Sequence, residues 1–248
     1  MTPYGLGVGV VSIYGRMAVV EALGDAATEV SLVLLARSAR GDTVDDIVRL
    51  AAERGVSLKR VAPEKVTRVS GNGRHDQGVV AEIEAPGLVE LDDWLAGHRP
   101  DALLVLDGVT NPANVGMIVR TVTAAGLDGV VLPRAGSPDV GPLVVKASAG
   151  VAFRATILST ATALDGVESL TEAGLEVIGL RAGAPSLFDG ELPRRAAFVL
   201  GSEHEGVSAA VTDRVASWRS LPLANGVESL NVAVAAGILA YELARRRP

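Results

Sequence analysis

The sequence has 248 residues, of which 48% are hydrophobic and 21% charged, and its formal net charge is −6. This composition is that of an ordinary globular protein, and the length allows one large domain or two smaller ones. The chain contains no cysteine, which excludes disulfides, thiolate catalysis and zinc–sulfur sites. Its three histidines are too scattered to predict a metal centre.

Two further classes of protein are disfavoured by the distribution of apolar residues. The N-terminus has no basic segment followed by an apolar run, so no signal peptide is predicted. No window of about 18 residues is free of charged or strongly polar side chains, which argues against a membrane span. We therefore expect a cytoplasmic protein.

The first 85 residues alternate short apolar runs with helical patterns and predict a small α/β domain. We expect Thr43 to cap the second helix, Asp45 and Asp46 to occupy its first turn, and Gly55 to end it. In chain order, the predicted elements are strand GVGVVSI, helix RMAVVEAL, strand EVSLVLLA, helix TVDDIVRLAAERG, and strands LKRV and GVVAEIEA.

Basic residues concentrate between Arg54 and His75, in contrast to the acidic balance of the whole chain. Phosphate binding depends on such a local patch rather than on net charge, although a solvated basic surface has the same pattern. Six cations stand against the single acid Glu64, a local balance of +5: Arg54, Lys59, Arg60, Lys65, Arg68 and Arg74.

A second α/β unit is predicted over residues 101–248, after a linker over residues 86–100 that is bounded by prolines. Its strands favour a mostly parallel sheet with helices on both faces. A Gly-x-Gly-x-x-Gly motif is absent, which disfavours a dinucleotide-binding domain and a Rossmann-type methyltransferase. The predicted strands are ALLVLDG, GVVL, RATIL, EVIGL, AAFVLG and SWRSLPL.

The segment LDGVTNPANVGMIVRTVTAAG carries the first group of candidate site residues. A strand ends at Asp107, and Asn114 is predicted to cap the following helix. Arg120 is the only charged residue between Pro112 and Gly126. Such a guanidinium is predicted either to pair with an anion or to extend to solvent.

The segment AAFVLGSEHEGVS contains a buried-type strand, then two glutamates between two glycines. Gly201 and Gly206 would let backbone approach a ligand at the carboxyl end of the strand. Glu203 and Glu205 are equally explained by the helix dipole, which favours acids in a first turn.

The segment LPLANGVESLNV leads into a helix that carries no charge from Val232 to Ala240. Ser229 and Asn231 stand at the start of that helix, and both residue types cap helices. The same side chains are also suited to bind a ligand at the helix start.

Together, the three segments resemble the SpoU–TrmH family (SPOUT superfamily) of S-adenosylmethionine-dependent RNA ribose 2′-O-methyltransferases, over about residues 102–247. VVKASAG, at residues 144–150, is similar to the family's stretch between its first two motifs. GRMAVVEAL and RHDQGVVAEIEAP resemble the ribosomal-protein-like substrate-binding domain of the enzymes that modify large-subunit ribosomal RNA. The motifs are Asn114, Gly116 and Arg120; Gly201, Glu203 and Gly206; and Pro222 with Ser229, Leu230 and Asn231.

The resemblance implies a C-terminal trefoil knot, S-adenosylmethionine as cofactor, ribosomal RNA as substrate, a homodimer and no metal. It implies an RNA-binding domain over residues 1–85 and a methyltransferase domain over residues 101–248. The implied catalytic residues are Arg120, Asn114, Glu203, Ser229 and Asn231. The implied cofactor-binding residues are Leu180, Leu200, Gly201, Gly206, Leu221, Leu223, Ser229 and Leu230. The expected RNA-binding residues are Arg60, Lys65, Arg68 and Arg74.

Arg120 is placed by the resemblance at the reacting 2′-hydroxyl. Removing a proton from arginine at pH 7 would cost roughly 7 kcal/mol, which argues against a general base. We expect Arg120 instead to clamp a phosphate and polarise the hydroxyl, with Asn114 and Glu203 orienting it and Ser229 and Asn231 holding the hydroxyl and the loop.

Two alternatives stay open at this point. The same fold can act on tRNA or on a small-molecule acceptor, which the acidic net charge allows. A non-catalytic RNA-binding or assembly factor would use the N-terminal domain alone.

Overall fold

A computed structural model of the chain describes residues 10–26, 28–84, 88–203 and 205–247. The strands are β1 (Val10–Tyr14), β2 (Val30–Ala36), β3 (Ser57–Val61), β4 (Val79–Glu84), β5 (Val89–Glu90), β6 (Ala102–Asp107), β7 (Gly129–Pro133), β8 (Ile157–Thr160), β9 (Glu176–Leu180), β10 (Ala196–Gly201) and β11 (Ser217–Arg219). The helices are α1 (Arg16–Gly24), α2 (Asp42–Glu53), α3 (Pro63–Ser70), α4 (Leu91–Leu95), α5 (Pro112–Ala124), α6 (Pro142–Ala147), α7 (Ala163–Glu172), α8 (Ala209–Thr212) and α9 (Val232–Arg246), with a 3-10 turn at Val151–Phe153.

The chain divides into two compact units, and the N-terminal unit comprises residues 1–87 and 140–154. Its sheet has the strand order β1-β4-β2-β3, in which β2 and β3 are parallel and the other pairs antiparallel. The predicted strands of the small α/β domain are therefore confirmed in their described parts. Helix α3 was not predicted; Pro63 opens it and the left-handed Gly71 ends it.

The predicted cap of α2 is wrong. The helix begins at Asp42, its N-cap is Gly41, and no side chain caps it, so Thr43 lies inside the first turn. Acidic residues in that turn, Asp42 and Asp45, favour the helix dipole and explain the earlier start. Buried residues Val44, Ile47 and Ala51 form the apolar stripe that packs α2 onto the unit.

Two segments pack differently from the predicted domain boundaries. Residues 140–154 belong to the N-terminal unit, where α6 contacts β1. The described residues of the predicted linker belong to the second unit, because β5 pairs with β8 and Leu91 of α4 is buried in its core. The two-residue β5 is therefore an edge strand of this unit's sheet, and α4 packs against its core.

The second unit comprises residues 88–139 and 155–248 and contains a seven-stranded, wholly parallel sheet. Its strand order is β11-β9-β10-β6-β7-β8-β5, and every residue of β6 is buried. Alternate residues of the central strands pack with α4, α7 and α8 on one face, and α5 and α9 contact the other face. The parallel sheet flanked by helices is thus confirmed, and the trefoil knot stays a prediction.

The register brings the carboxyl ends of four neighbouring strands to one edge of this sheet. Asp107 at the end of β6 lies opposite Gly201 at the end of β10. On the other side, Leu180 of β9 lies opposite Arg219 of β11. Open α/β sheets bind ligands at this carboxyl edge, and it is where the three segments singled out in the sequence emerge.

The C-terminal helix is held by an ionic cluster around Glu242, whose side chain is only 7% exposed. Arg245 donates two hydrogen bonds to the Glu242 carboxylate, of 2.8 and 2.9 Å, and Arg246 donates one of 2.6 Å. Arg246 also donates to the carbonyl oxygens of Gly190 and Leu187. The bond from Arg245 lowers the pKa of Glu242 to about 2, the bond from Arg246 acts in the same direction, and burial opposes both.

Replacing this carboxylate, as in Glu242→Gln, is expected to lower the free energy of unfolding by up to about 3 kcal/mol at pH 7. Because the folded pKa is depressed, the contribution is complete above the ordinary pKa of 4.5 and is lost as the pH falls toward 2. Urea unfolding of the wild type and of Glu242→Gln should therefore show a difference in the free energy of unfolding that becomes smaller below pH 4.5. Glu29→Gln, at an exposed position, is the control. A difference in unfolding free energy that does not change with pH would contradict its origin in the ion pairs of Glu242.

In the described ranges, no helix is both long enough and apolar enough to span a membrane.

Candidate functional site

The loop that follows β10 folds back on itself at the carboxyl edge of the sheet. The backbones of Ser202 and Gly206 exchange two hydrogen bonds of 3.0 Å, and the Ser202 hydroxyl accepts a third from the Glu205 N–H. A Cβ atom on Gly201 would lie 2.0 Å from the carbonyl carbon of Gly206 and 2.2 Å from Val207 N. The closed loop is therefore compatible only with glycine at position 201.

Asp107 anchors the far end of the same loop. Its carboxylate is buried and accepts a 2.6 Å hydrogen bond from the Ser208 N–H. This bond ties the loop after β10 to the end of the neighbouring strand β6. Sequence reasoning identified Asp107 only as the end of a strand, because its partner is distant in the chain.

A polar triad of Asn114, Glu203 and Asn231 joins the three sequence segments. Glu203 Oε1 accepts from Asn114 Nδ2 at 3.1 Å and from Asn231 Nδ2 at 2.7 Å. Asn231 Nδ2 also donates to Asn114 Oδ1 at 3.0 Å, and the Val232 N–H donates to Glu203 Oε1 at 3.2 Å. Three of the five predicted catalytic residues are thus brought together.

The helix caps differ from the prediction at two positions. Asn111, not Asn114, caps α5, with its Oδ1 accepting from the Ala113 N–H at 2.9 Å. Asn114 is the third residue of α5, within its first turn, and its amide bonds to Glu203 and Asn231. Asn231 caps α9 as predicted, accepting from the N–H groups of Ala233 and Val234, while Ser229 makes no capping bond.

The double role of Asn231 is testable against Asn111, which caps a helix without joining the triad. Asn111→Ala is expected to lose only the capping energy, about 1 kcal/mol. Asn231→Ala should lose that energy and also remove the Nδ2 donor that Glu203 Oε1 and Asn114 Oδ1 share, for a total of about 2–4 kcal/mol. Urea denaturation of both variants measures the difference; equal losses would show that the triad adds nothing to the cap.

A cavity of about 750 Å³ opens beside the loop after β10, within the second unit. All eight predicted cofactor-binding residues line it: Leu180, Leu200, Gly201, Gly206, Leu221, Leu223, Ser229 and Leu230. Five of these are leucines, so the wall is largely apolar, and the two glycines expose backbone.

The charged groups around this cavity were only partly found from the sequence. Glu203, Glu205 and Glu228 give its lining an acidic character. Arg181 is the only basic residue among the described lining residues, and its guanidinium lies 4.4 Å from the centroid of the Trp218 ring. Neither Arg181 nor Trp218 belongs to a motif, so only the fold brings them to the cavity.

A smaller cavity of about 350 Å³ lies next to the first, and two residues of the triad, Asn114 and Glu203, line it. Gly108, Val109, Thr110 and Asn111 also line it. The two cavities share four lining residues: Ser202, Glu203, Glu205 and Val232. Two ligands, one bound in each cavity, would therefore lie next to each other with Glu203 between them.

Arg120 is placed differently from the other predicted catalytic residues. It is exposed on α5, lines neither cavity, and makes no hydrogen bond or ion pair within the described residues. The expected orientation of Arg120 by Asn114 and Glu203 is not observed, because those side chains bond to each other and to Asn231. Ser229 lies on the wall of the larger cavity, as expected of a ligand-facing residue.

The basic stretch of the N-terminal unit separates into two kinds of residue. Arg54 is structural, since its guanidinium donates to four carbonyl oxygens at the end of α1 and in the turn beyond it. The predicted RNA-binding residues are all exposed: Arg60, Lys65, Arg68 and Arg74. Within the described parts of the chain, no group of three or more potential ligands could hold a metal ion.

Comparison with known proteins agrees with this arrangement. Residues 101–241 match the SpoU rRNA Methylase family, and residues 12–88 match a family described as RNA 2′-O ribose methyltransferase substrate binding. A protein of Mycolicibacterium gilvum named as an uncharacterized tRNA/rRNA methyltransferase is 34% identical over 95% of this chain and 76% of its own length. The putative TrmH family tRNA/rRNA methyltransferase YacO of Bacillus subtilis is 32% identical over 95% of both chains.

Solved structures share the fold over nearly the whole chain. A putative RNA methyltransferase of the TrmH family from Porphyromonas gingivalis has a TM-score of 0.75 at 27% identity, covering 96% of this chain and 90% of its own. The SpoU methyltransferase AviRb from Streptomyces viridochromogenes, solved with AdoMet, has a TM-score of 0.77 at 23% identity and the same coverage. The fold and the site therefore define an RNA methyltransferase of the SpoU type. The chain belongs to the SpoU rRNA methylase family.

Proposed function

We propose that the protein transfers a methyl group from S-adenosylmethionine to a ribose 2′-hydroxyl of RNA, with large-subunit ribosomal RNA as the substrate. The observation that carries this proposal is the convergence of three distant segments on one cavity pair. Eight residues expected to hold the cofactor line the larger cavity. Glu203 of the triad lines both cavities and Asn114 lines the smaller one, while Asn231 bonds to both of these side chains. The proposed methyl transfer is also supported by the match of 95% of the chain to a putative TrmH family tRNA/rRNA methyltransferase.

The larger cavity fits S-adenosylmethionine in size and chemistry. Its volume of about 750 Å³ lies in the usual range for cofactor sites. Leucine side chains suit the faces of an adenine, and the glycines at 201 and 206 offer backbone groups to its edge. The carboxylates of Glu203, Glu205 and Glu228 suit a ligand that carries a sulfonium and an ammonium group. When bound, the cofactor supplies an electrophilic methyl group.

The smaller cavity is the proposed place of the acceptor nucleotide. It adjoins the larger cavity across Glu203, so an acceptor there would lie next to the donor, and alignment alone can supply about 7–11 kcal/mol of a transfer barrier. The triad fixes the starts of α5 and α9 on either side. Its role is positional, because Glu203 and both asparagines satisfy one another.

Arg120 is proposed to act at the acceptor through a homodimer. The surface of α5 and α9 carries exposed apolar side chains: Met117 is 41% exposed, Val234 51% and Tyr241 57%. Pairing of two chains through this surface would bury those apolar side chains. It would also place Arg120, which is on the same helix as Met117, at the interface. There its guanidinium would clamp a phosphate and polarise the 2′-hydroxyl.

The proposal is tested by incubating the protein with methyl-labelled S-adenosylmethionine and separate pools of ribosomal RNA, tRNA and small metabolites. Label in the ribosomal RNA pool is the expected result. Label in tRNA or in a metabolite would replace the proposed acceptor by one of the alternatives. RNA binding with no label in any pool would favour the non-catalytic assembly factor. The cytoplasmic location stays a prediction.

A further inference from the structure

Three loops of the N-terminal unit meet at Arg16, a residue that the sequence motifs did not single out. Its backbone N–H donates to Gln77 Oε1 at 2.9 Å, and its Nε donates to the Gln77 carbonyl at 3.2 Å. Its Nη1 donates to the carbonyl of Arg40 at 3.1 Å. Arg16 therefore fixes the start of α1 to the loops after β2 and before β4.

One residue that contacts Arg16 has an unfavourable backbone conformation. Gln77 has a φ of 53°, in the left-handed region that non-glycine residues rarely occupy, and it directs two oxygens at Arg16. Gly15 and Gly41, on the other two loops, have φ values of 92° and 111°. Glycine adopts such φ values without strain, whereas a non-glycine residue such as Gln77 is retained in the left-handed region mainly where the geometry serves a function.

Three more arginines lie beside Arg16 on the same loops and strand. Arg40 Nη1 donates to the carbonyls of Arg37 and Ala39, at 2.5 and 2.7 Å. Arg60 Nη1 reaches the Ala39 carbonyl at 3.5 Å, and the Arg37 N–H bonds to β3. Arg16, Arg37, Arg40 and Arg60 are called here the arginine cluster.

No carboxylate lies within 4.0 Å of the arginine cluster in the parts of the chain that the structure describes. Arg49, on α2 of the same unit, contrasts with it by pairing with both Asp46 and Glu53. Among the described residues, the side chains of the cluster bond only to carbonyl oxygens. Arg37, Arg40 and Arg60 are exposed, and Arg16 is half-buried. Four cations at the start of α1, on the loop after β2 and on strand β3, with no carboxylate within 4.0 Å among the described residues, are suited to a chain of phosphates.

We propose that the arginine cluster binds the phosphate backbone of the RNA substrate and sets its position on the N-terminal unit. This inference rests on the proposed function, and it adds Arg16, Arg37 and Arg40 to the residues expected from the sequence. Multiple guanidiniums, spread over the start of α1, the loop after β2 and strand β3, match several phosphates of one strand better than a single small anion. Arg16 acts as the positioning residue, since it joins all three loops.

The test is fluorescence-anisotropy titration of labelled ribosomal RNA fragments and tRNA at several salt concentrations. Arg37→Gln/Arg40→Gln should weaken binding roughly 10- to 100-fold and reduce the salt slope by about one for each arginine removed. Arg49→Gln/Arg154→Gln removes the same charge from the same unit and should leave affinity and slope close to wild type. Arg37→Gln alone, whose side chain makes no bond within the described residues, guards against damage to the loop.

The outcomes separate this inference from the proposed function. If wild-type protein binds RNA and all three variants bind equally well, the arginine cluster is not the contact surface, although the function stands. If the cluster variant and the control variant lose the same affinity for RNA, the effect comes from the overall charge of the unit and not from the arginine cluster. This result would also overturn the inference. No binding of any RNA by wild type would overturn both, and binding of an acidic protein in place of RNA would reassign the surface.

Discussion

Arg120→Lys is expected to lower the single-turnover rate of RNA methylation about 100- to 1,000-fold. Lysine retains the positive charge but cannot reproduce the planar fork that binds a phosphate and polarises a hydroxyl together. Affinity for S-adenosylmethionine should stay unchanged, because Arg120 does not line the larger cavity. The measurement is a rapid-quench assay with enzyme in excess over RNA, paired with calorimetric titration of the cofactor.

The exposed Arg194 offers a matched control in the same unit. Arg194→Lys should methylate at the wild-type rate. Sedimentation of Arg120→Lys should also show an unchanged oligomeric state, so that a lost interface is not mistaken for lost chemistry. A near wild-type rate for Arg120→Lys would refute the bidentate clamp.

Gly201→Ala is expected to abolish measurable binding of S-adenosylmethionine and to destabilise the second unit by more than about 3 kcal/mol. The added Cβ would lie 2.0–2.2 Å from three backbone atoms of Gly206 and Val207, which cannot move aside as a flexible side chain would. The loop would have to open, and opening it breaks the paired bonds between Ser202 and Gly206. Calorimetry of cofactor binding and thermal unfolding measure the two effects.

Gly24→Ala is the corresponding control, because a Cβ at that position meets nothing within 4 Å and its φ is not in the left-handed region. It should unfold as wild type does and bind the cofactor normally. Wild-type cofactor affinity in Gly201→Ala would mean that the closed loop is not part of the donor site.

Most of the fold was predictable because its signals are local. The apolar runs that became β6 and β10 are buried on both faces, which is the pattern of a central parallel strand. Helix α3 escaped prediction because its eight residues are mostly exposed and bury only Val66. Residues 86–100 were predicted as a linker because a two-residue strand and the single core leucine Leu91 give no periodicity.

The sequence predicts which residues form the site, but it does not predict the hydrogen bonds between them. Asn114 and Asn231 are 117 residues apart, and nothing in either local sequence indicates that one amide bonds to the other. Capping statistics favoured Asn114 as the α5 cap, although Asn111, just before Pro112, takes that place. Local charge likewise groups Arg54 with the basic stretch, whereas its four carbonyl partners make it structural.

The central claim, methyl transfer to a ribose hydroxyl, is tested most directly by alkaline hydrolysis of RNA labelled by the protein. Alkali cleaves RNA through attack of the 2′-hydroxyl on the adjacent phosphate, so a methylated 2′-oxygen protects that one linkage. The proposed function predicts that the label is recovered in an alkali-resistant dinucleotide. Recovery of the label in mononucleotides would place the methyl group on a base and contradict the account.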